Sequence, residues 1–599
     1  MTARSAILSF MVTFFAGGIG LLAPSSQAQQ SPGDAAPSST APGRISGRVV
    51  NVSGDPLTNA VVYVATLGVT APPRSAIVGN DGTFKMEGLE VGAYSVWANA
   101  PGFVSDDPTP ALQSRGFYHT GDSVNLRLTK GGVITGTVTN SSNAPVVAAT
   151  VRAFRIRDEN GKPIDGLIQV RDRMSDDRGF YRIYGLEPGT YVVCAGGSPR
   201  PYGGFGATLY DNDAPTYAPS STRDTAMEVS VQSGEEVTVD VQYRGEPGHS
   251  ISGTVLGVLQ TQTAFSYGST ISITDLRTRT VLTNTSASSF NNHSFAFYGL
   301  TDGEYELVAQ QYSQSTDTRM SEPRRIKLRG ADIAGISLTV APLPSISGHL
   351  VLESNPPADC VKRRATAPLE TVISARRWNQ PTRRPAAKGA GPAETDDAPL
   401  MYTNQTASSA PDTKGDFLLR NLHSGSYRVN VQLPSSGWYL RSMTLGSNLR
   451  TADGNLSGEG IAIKNQSVSG LTITISEGAA SVRGHVSAAE GQSVPAGLRV
   501  YLVPTEKESA KDALRYFESP LDGDGNFAFG NMAPGHYWIA ARVNDEGNAI
   551  EVKSLRADAT LRSTVLHDAE ASRKEIMLQR CQRIIDYELP YMSMIGAKP

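Results

Sequence analysis

Short runs of alternating apolar and polar residues, interrupted every few positions by Gly, Pro, Asn or Asp, fill most of this chain. Period-two alternation predicts strands that turn one face inward, and the interruptions predict tight turns between them. One such pattern recurs five times at fixed internal spacing. Its copies run through Gly82-Phe84-Met86-Gly88-Leu89-Gly92-Tyr94, Gly179-Tyr181-Ile183-Gly185-Leu186-Gly189-Tyr191 and Phe295-Phe297-Gly299-Leu300-Gly303-Tyr305. The last two are Gly415-Phe417-Leu419-Asn421-Leu422-Gly425-Tyr427 and Gly525-Phe527-Phe529-Asn531-Met532-Gly535-Tyr537. In the third copy His293 stands where the leading Gly belongs.

Each part of the pattern has a physical role. Clusters such as Asn80-Asp81-Gly82 and Asp524-Gly525 supply the positive φ of a hairpin turn. The aromatic and the apolar residue two places on form the inward face of a strand. Gly or Asn before Leu permits a bend, and a second turn leads into a strand that opens on Tyr. A Tyr at such a corner buries its ring and bonds its hydroxyl to nearby backbone, as in the tyrosine corner of immunoglobulin-type sandwiches. The five tyrosines are therefore read as structural.

A matching first strand precedes each copy: Ile45-Ser-Gly47-Arg-Val49, Ile134-Thr-Gly136-Thr-Val138, Ile251-Ser-Gly253-Thr-Val255, Ile346-Ser-Gly348-His-Leu350 and Val482-Arg-Gly484-His-Val486. Closing strands such as Val237-Thr-Val239-Asp-Val241 complete the units. The predicted fold is all-β: five tandem Ig-like, transthyretin-like β-sandwiches at 44–129, 130–245, 246–342, 343–477 and 478–582, with a tail at 583–599. Links as short as Thr129 to Gly132 predict a semi-rigid rod.

Strand I-S-G-x-V followed by D-x-x-G-x-F-x-F-x-G-L-x-P-G-x-Y resembles the carboxypeptidase regulatory-like domain family. That resemblance implies a transthyretin-like seven-stranded sandwich, close to Cna B-type and carbohydrate-binding-like folds, in a secreted bacterial multi-repeat protein. It implies a non-catalytic module, with extracellular glycan or another secreted or envelope protein as partner. The alternative role is a regulatory or docking array for a separate secreted hydrolase or carboxypeptidase. Cna-type domains sometimes carry a Lys–Asn crosslink, but the first strands here hold Arg, Thr or His in place of that Lys.

The N-terminus adds a location. A basic start, the apolar run from Ala6 to Ala16 and the small-residue site Ser26-Gln27-Ala28 predict a signal peptide over 1–28. A Ser/Pro/Ala-rich leader follows at 29–43. The expectation is a secreted protein, periplasmic or extracellular, with no membrane span after cleavage. Net charge is −3 and charged residues make up 19% of the chain. So even a balance argues against nucleic acid as a partner, since that affinity rests on many Lys and Arg contacts to phosphate.

Candidate chemistry is sparse. His567-Asp568-Ala569-Glu570 has zinc-carboxypeptidase spacing, but no further His follows it. Nucleophile-elbow and phosphate-loop motifs are absent. No catalytic residue, metal ligand or cofactor is expected. Asp522-Gly523-Asp524-Gly525-Asn526 alternates like a calcium loop, yet it aligns with the hairpin turns of the other copies. Cys194, Cys360 and Cys581 are an odd set, one in each of three units, and no structural bridge is expected from them. Two segments offer binding residues. The aromatic loop with Tyr202, Phe205, Tyr210 and Tyr217 either stacks on sugars or folds onto its own sandwich. The basic insertion from Lys362 to Lys388 places Arg376, Arg377 and Trp378 where an acidic glycan or lipid head group could be attracted.

Overall fold

The computed structural model describes residues 43–591, apart from 69–70, 106–116, 165–169, 198–209, 211, 259–267, 313–317, 355–359, 361–365, 379–405, 447–459, 489–493, 496, 544–554 and 557. The predicted signal peptide and nearly all of the leader lie outside these residues, as do Tyr202 and Phe205.

The first unit shows the plan. One sheet has the order Thr83–Leu89, Gly43–Asn51, Ser123–Lys130, Phe103–Ser105; the other has Arg74–Ile77, Val61–Thr66, Ala93–Asn99, Tyr118–His119. The opening strand runs antiparallel to the signature strand and parallel to the closing strand. This parallel first–last pairing recurs in every unit. Five separate apolar cores fill the spaces between sheets, seeded by Ile45, Ile134, Ile251, Ile346 and Val482. The third unit departs from the two-sheet plan. Its strand Thr318–Ser321 pairs with both Gly303–Tyr312 and Ile333–Pro342, joining the sheets into one of eight strands.

The opening-strand glycine explains why I-S-G is repeated. A Cβ at Gly47, Gly136, Gly253, Gly348 or Gly484 would fall on the carbonyl oxygen of Val124, Val239, Ile336, Leu471 or Tyr587 in the closing strand. Only glycine lets the two backbones come this close.

The C-terminal unit corrects the sequence boundary. Arg583–Tyr591, expected to be a tail, is the closing strand, parallel to Ala480–Ala488, and Leu589 is buried in that core. Its apolar pattern is disguised by a bulge. Asp586 takes φ +57° and the register shifts between Val482 and Gly484. An outer helix, Ala559–Ser572, is capped by Asp558 Oδ1, which accepts from Thr560 N (2.9 Å) and Leu561 N (3.0 Å). Its Val565 and Ala569 pack on Tyr501, Val503 and Tyr516.

The tandem order is as predicted, but the contacts are not only serial, as a simple rod would require. Phe117 N–H donates to Gln432 Oε1 (3.3 Å), and His119 Nε2 lies 2.6 Å from the Glu370 carbonyl. The first sandwich therefore touches the fourth.

Candidate functional site

The signature residues are committed to architecture in all five copies. Gly82, Gly179, Gly415 and Gly525 have φ between 75° and 95°, and His293 adopts φ +56° in the missing glycine's place. Asp176, Asp412 and Asp522 each accept two turn amides on Oδ1. The calcium-like stretch at Asp522 is thus spent on its own hairpin, with its carboxyl held below the usual range by the Asn526 amide and side chain. The five corner tyrosines are buried. Each hydroxyl donates to the carbonyl four residues earlier: Tyr94 to Glu90 (2.7 Å), Tyr191 to Glu187 (2.6 Å), Tyr305 to Thr301 (2.7 Å), Tyr427 to His423 (2.9 Å) and Tyr537 to Ala533 (2.8 Å). A hydroxyl buried without such a partner would cost about 1–3 kcal/mol.

The predicted binding residues do not gather into one site. Tyr217 lies on a short strand, Thr216–Tyr217, paired to the sandwich, and is 6% exposed. It packs with Phe154, Val192 and Cys194, so it is core rather than a free loop aromatic. Burial pushes its hydroxyl pKa up. Tyr210 rests on the second core, edge-on to Tyr243 at 5.3 Å. Arg376, Arg377 and Trp378 close the strand Val372–Trp378, whose Ile373 and Ala375 are core, so this part of the presumed insertion is sandwich. Alternation along it puts Arg377 on the core face and Arg376 and Trp378 on the other. Arg377 is buried, and its Nη2 donates to the Ser424 carbonyl of the tyrosine corner (3.0 Å). Arg155 and Arg515 bond the equivalent Pro188 and Pro534 carbonyls, which makes Arg377 a corner strut. Beside it His423 is buried, and desolvation with the Arg377 charge lowers its pKa to about 4. Arg376 is exposed on the other face, while Trp378 is half-buried with the Arg428 guanidinium 3.5 Å over its ring.

His567 and Glu570 project from the outer helix, where Asp568 lies 3.5 Å from Arg542. Among the described residues, no group of three His, Cys, Asp or Glu side chains is placed to hold a metal. The expectation of no bridge is overturned. Cys360 of the fourth sandwich is joined to Cys581 of the fifth, Cα to Cα 5.6 Å, while Cys194 is free and buried. Pairing across units is invisible to a count of one cysteine per unit.

What the sequence reading missed is the space between units. A cleft of about 620 Å³ separates the second and third sandwiches. Tyr217, the one candidate residue found there, contributes to its wall. Arg152 and Arg223 line it from the second sandwich, Asp275 and Arg277 from the third. An ion pair, Arg277–Asp224 (2.7 Å), spans the two units. A second hollow, about 750 Å³, lies between the first and second sandwiches, where Arg155 is already paired with Glu187. Arg152 stands among apolar Val151, Ala153 and Phe154, but the same strand also holds Arg155 and Arg157, so its sequence alone does not single it out.

The fold and these corners define a chain of tandem β-sandwiches built on one repeated plan. Residues 44–116, the first sandwich, match the family model of the carboxypeptidase regulatory-like domain. Among solved structures, the chain is similar to the Bacillus anthracis TIE protein at 16% identity, covering 50% of this chain and 51% of that one, with a TM-score of 0.14. It thus spans about half the length of that protein. It is also similar to GBS52, the minor pilin of Streptococcus agalactiae (12% identity, 37% of this chain and 99% of that one, TM-score 0.18). BcpA, the major pilin subunit of Bacillus cereus, matches at 11% identity over 50% of this chain and all of its own, with a TM-score of 0.14. No curated protein matches.

Proposed function

We propose that this chain is an exported, non-catalytic scaffold that binds carbohydrate at the cell envelope or exterior. The observation carrying this reading is the division of labour in the fold. Repeated residues are consumed by turns, corners and cores, while the hollow between the second and third sandwiches is lined by side chains that differ from unit to unit. Charged and hydroxyl groups around an aromatic wall are what a polyhydroxylated ligand needs, and interfaces between units are common places for such sites. Export is supported by the N-terminal pattern and by the Cys360–Cys581 bridge, since disulfides persist in oxidising compartments. Among the described residues no helix is long and apolar enough to cross a membrane.

The test is retention of the purified full chain on a panel of insoluble polysaccharides. Retention on at least one, released by its soluble oligomer, is expected. Absence of retention on every member, with a secreted peptidase copurifying from the native host, would replace this reading with a docking role.

A further inference from the structure

The first four sandwiches form a closed circuit of contacts, and the contact that closes it joins units that are not neighbours in sequence. Gln432 of the fourth sandwich grips one peptide group of the first with both ends of its side-chain amide. Its Oε1 accepts the Phe117 N–H (3.3 Å) and its Nε2 donates to the Phe117 carbonyl (2.5 Å). Beside this grip, His119 Nε2 lies 2.6 Å from the Glu370 carbonyl. A Cβ on Gly92 would meet Leu369 Cδ1 at 3.5 Å, so the contact has a small apolar edge. His119 and Glu370 are both buried. Between described residues, no ion pair or disulfide crosses from the first sandwich to the fourth.

The other three junctions differ in firmness. Between the first and second sandwiches, the Lys130 carbonyl accepts from the Ser233 hydroxyl (3.0 Å) and the Gly234 N–H (3.1 Å). Between the third and fourth, Asn421 accepts the Thr318 amide. Between the second and third lies the cleft, crossed by the exposed Arg277–Asp224 pair and by a long bond from Arg152 Nη1 to the Leu282 carbonyl (3.4 Å). The first and second sandwiches thus make one arm of the circuit, the third and fourth the other. The Gln432 contact joins the far ends of the arms, and the cleft lies where their near ends meet.

We infer that the contact of Gln432 and His119 with the first sandwich is a releasable clasp that sets the width of the cleft between the second and third. When the clasp parts, its hydrogen bonds exchange for bonds to water, so each contributes little net free energy and no core need unfold. Reclosing is intramolecular. The 315 positions separating Phe117 from Gln432 are folded units on short links, so closure costs far less chain entropy than a flexible loop of that length. The inference is independent of the carbohydrate reading, since it concerns the motion of the arms whatever the cleft holds.

Small-angle scattering and hydrogen exchange on the full chain test it. Gln432→Glu keeps the size of the side chain but sets an oxygen against the Phe117 carbonyl in place of the donor. It should raise the radius of gyration while circular dichroism and the melting of the cores stay unchanged. Amides at Arg277–Leu282 should exchange about fivefold faster or more, the shift that loss of one net hydrogen bond brings. His119→Ala serves as the second probe and should move both readouts the same way. Scattering identical in the parent and both variants overturns the clasp, as does a dimer in sedimentation of the parent, which would place the contact between copies. Expansion with no change of exchange at Arg277–Leu282 overturns its control of the cleft.

Discussion

The junction between sandwiches two and three and that between four and five start from the same corner position and end differently. In the third sandwich the corner residue is Gly299, which has no side chain to reach its predecessor. Gly248 of the link passes against its backbone, and a cleft stays open beside it, spanned by the Arg277–Asp224 pair. In the fifth sandwich the corner residue is Asn531. Its amide donates to the Ser435 and Trp438 carbonyls of the fourth unit (2.9 and 2.7 Å). Tyr439, Ala479 and Ala533 form a small apolar patch between those units, and the Cys360–Cys581 bridge closes the junction covalently. Asn421 makes an intermediate case, accepting the Thr318 amide of the third sandwich at 2.9 Å. Gly and Asn both tolerate the positive φ that the bend demands, so the exchange leaves the corner intact. It changes only whether the corner grips its neighbour. Repeated chemistry builds the units, and the exchange at the corner, with the apolar patch and the bridge, separates a latched junction from an open one.

The largest effect should come from the part that both halves share. Gly484→Ala puts a methyl group onto the Tyr587 carbonyl and should cost about 4 kcal/mol or more, unfolding the fifth sandwich. Gly253→Ala should do the same to the third, and calorimetry that finds either variant as stable as the parent breaks the claim of a common frame. Next, Cys360→Ser removes the covalent latch and should lower the stability of the C-terminal pair by about 2–4 kcal/mol. Reducing agent should reproduce that loss in the parent while leaving the second and third units unchanged.

Acid should also act first on the latched half, through His423. Its pKa falls from an ordinary 6.5 to about 4 because the neutral ring is buried beside Arg377. The unfolded chain takes up a proton between those values that the folded chain refuses. The stabilisation is therefore complete above pH 6.5 and is lost as pH falls towards 4, by up to about 3 kcal/mol. His423→Gln should flatten that part of the stability profile of the fourth sandwich. The smallest effect belongs to the single grip. Asn531→Gly imitates the open junction and should cost about 1 kcal/mol, read as faster amide exchange at Ser435–Tyr439 with no change in the fifth core.

Much of the frame was legible because it repeats. Spacing predicted the strands, the turns and all five tyrosine corners, because a buried Tyr after a Gly-containing turn has few other ways to satisfy its hydroxyl. His349 and His485 hold equivalent places on their opening strands, and each sits beside its hairpin, with Asp416 and Asn526 respectively. The closing strand at Arg583–Tyr591 was not legible, since the bulge at Asp586 breaks its alternation. The binding segments misled for a different reason. An aromatic such as Tyr217 or a basic residue such as Arg377 has the same composition whether it faces solvent or props a corner, and only strand pairing decides which. Junctions escaped altogether. Cys360 with Cys581, or Phe117 with Gln432, meet over separations that local periodicity does not encode.

Hydrogen exchange followed by mass spectrometry on the full chain tests the contrast between the two junctions most directly. Amides around Ser435–Trp438 and Asn531 should exchange slowly, and those around Arg223 and Arg277–Leu282 should exchange faster. Equal protection at both junctions, or slower exchange around Arg223 and Arg277–Leu282, would contradict the division between them.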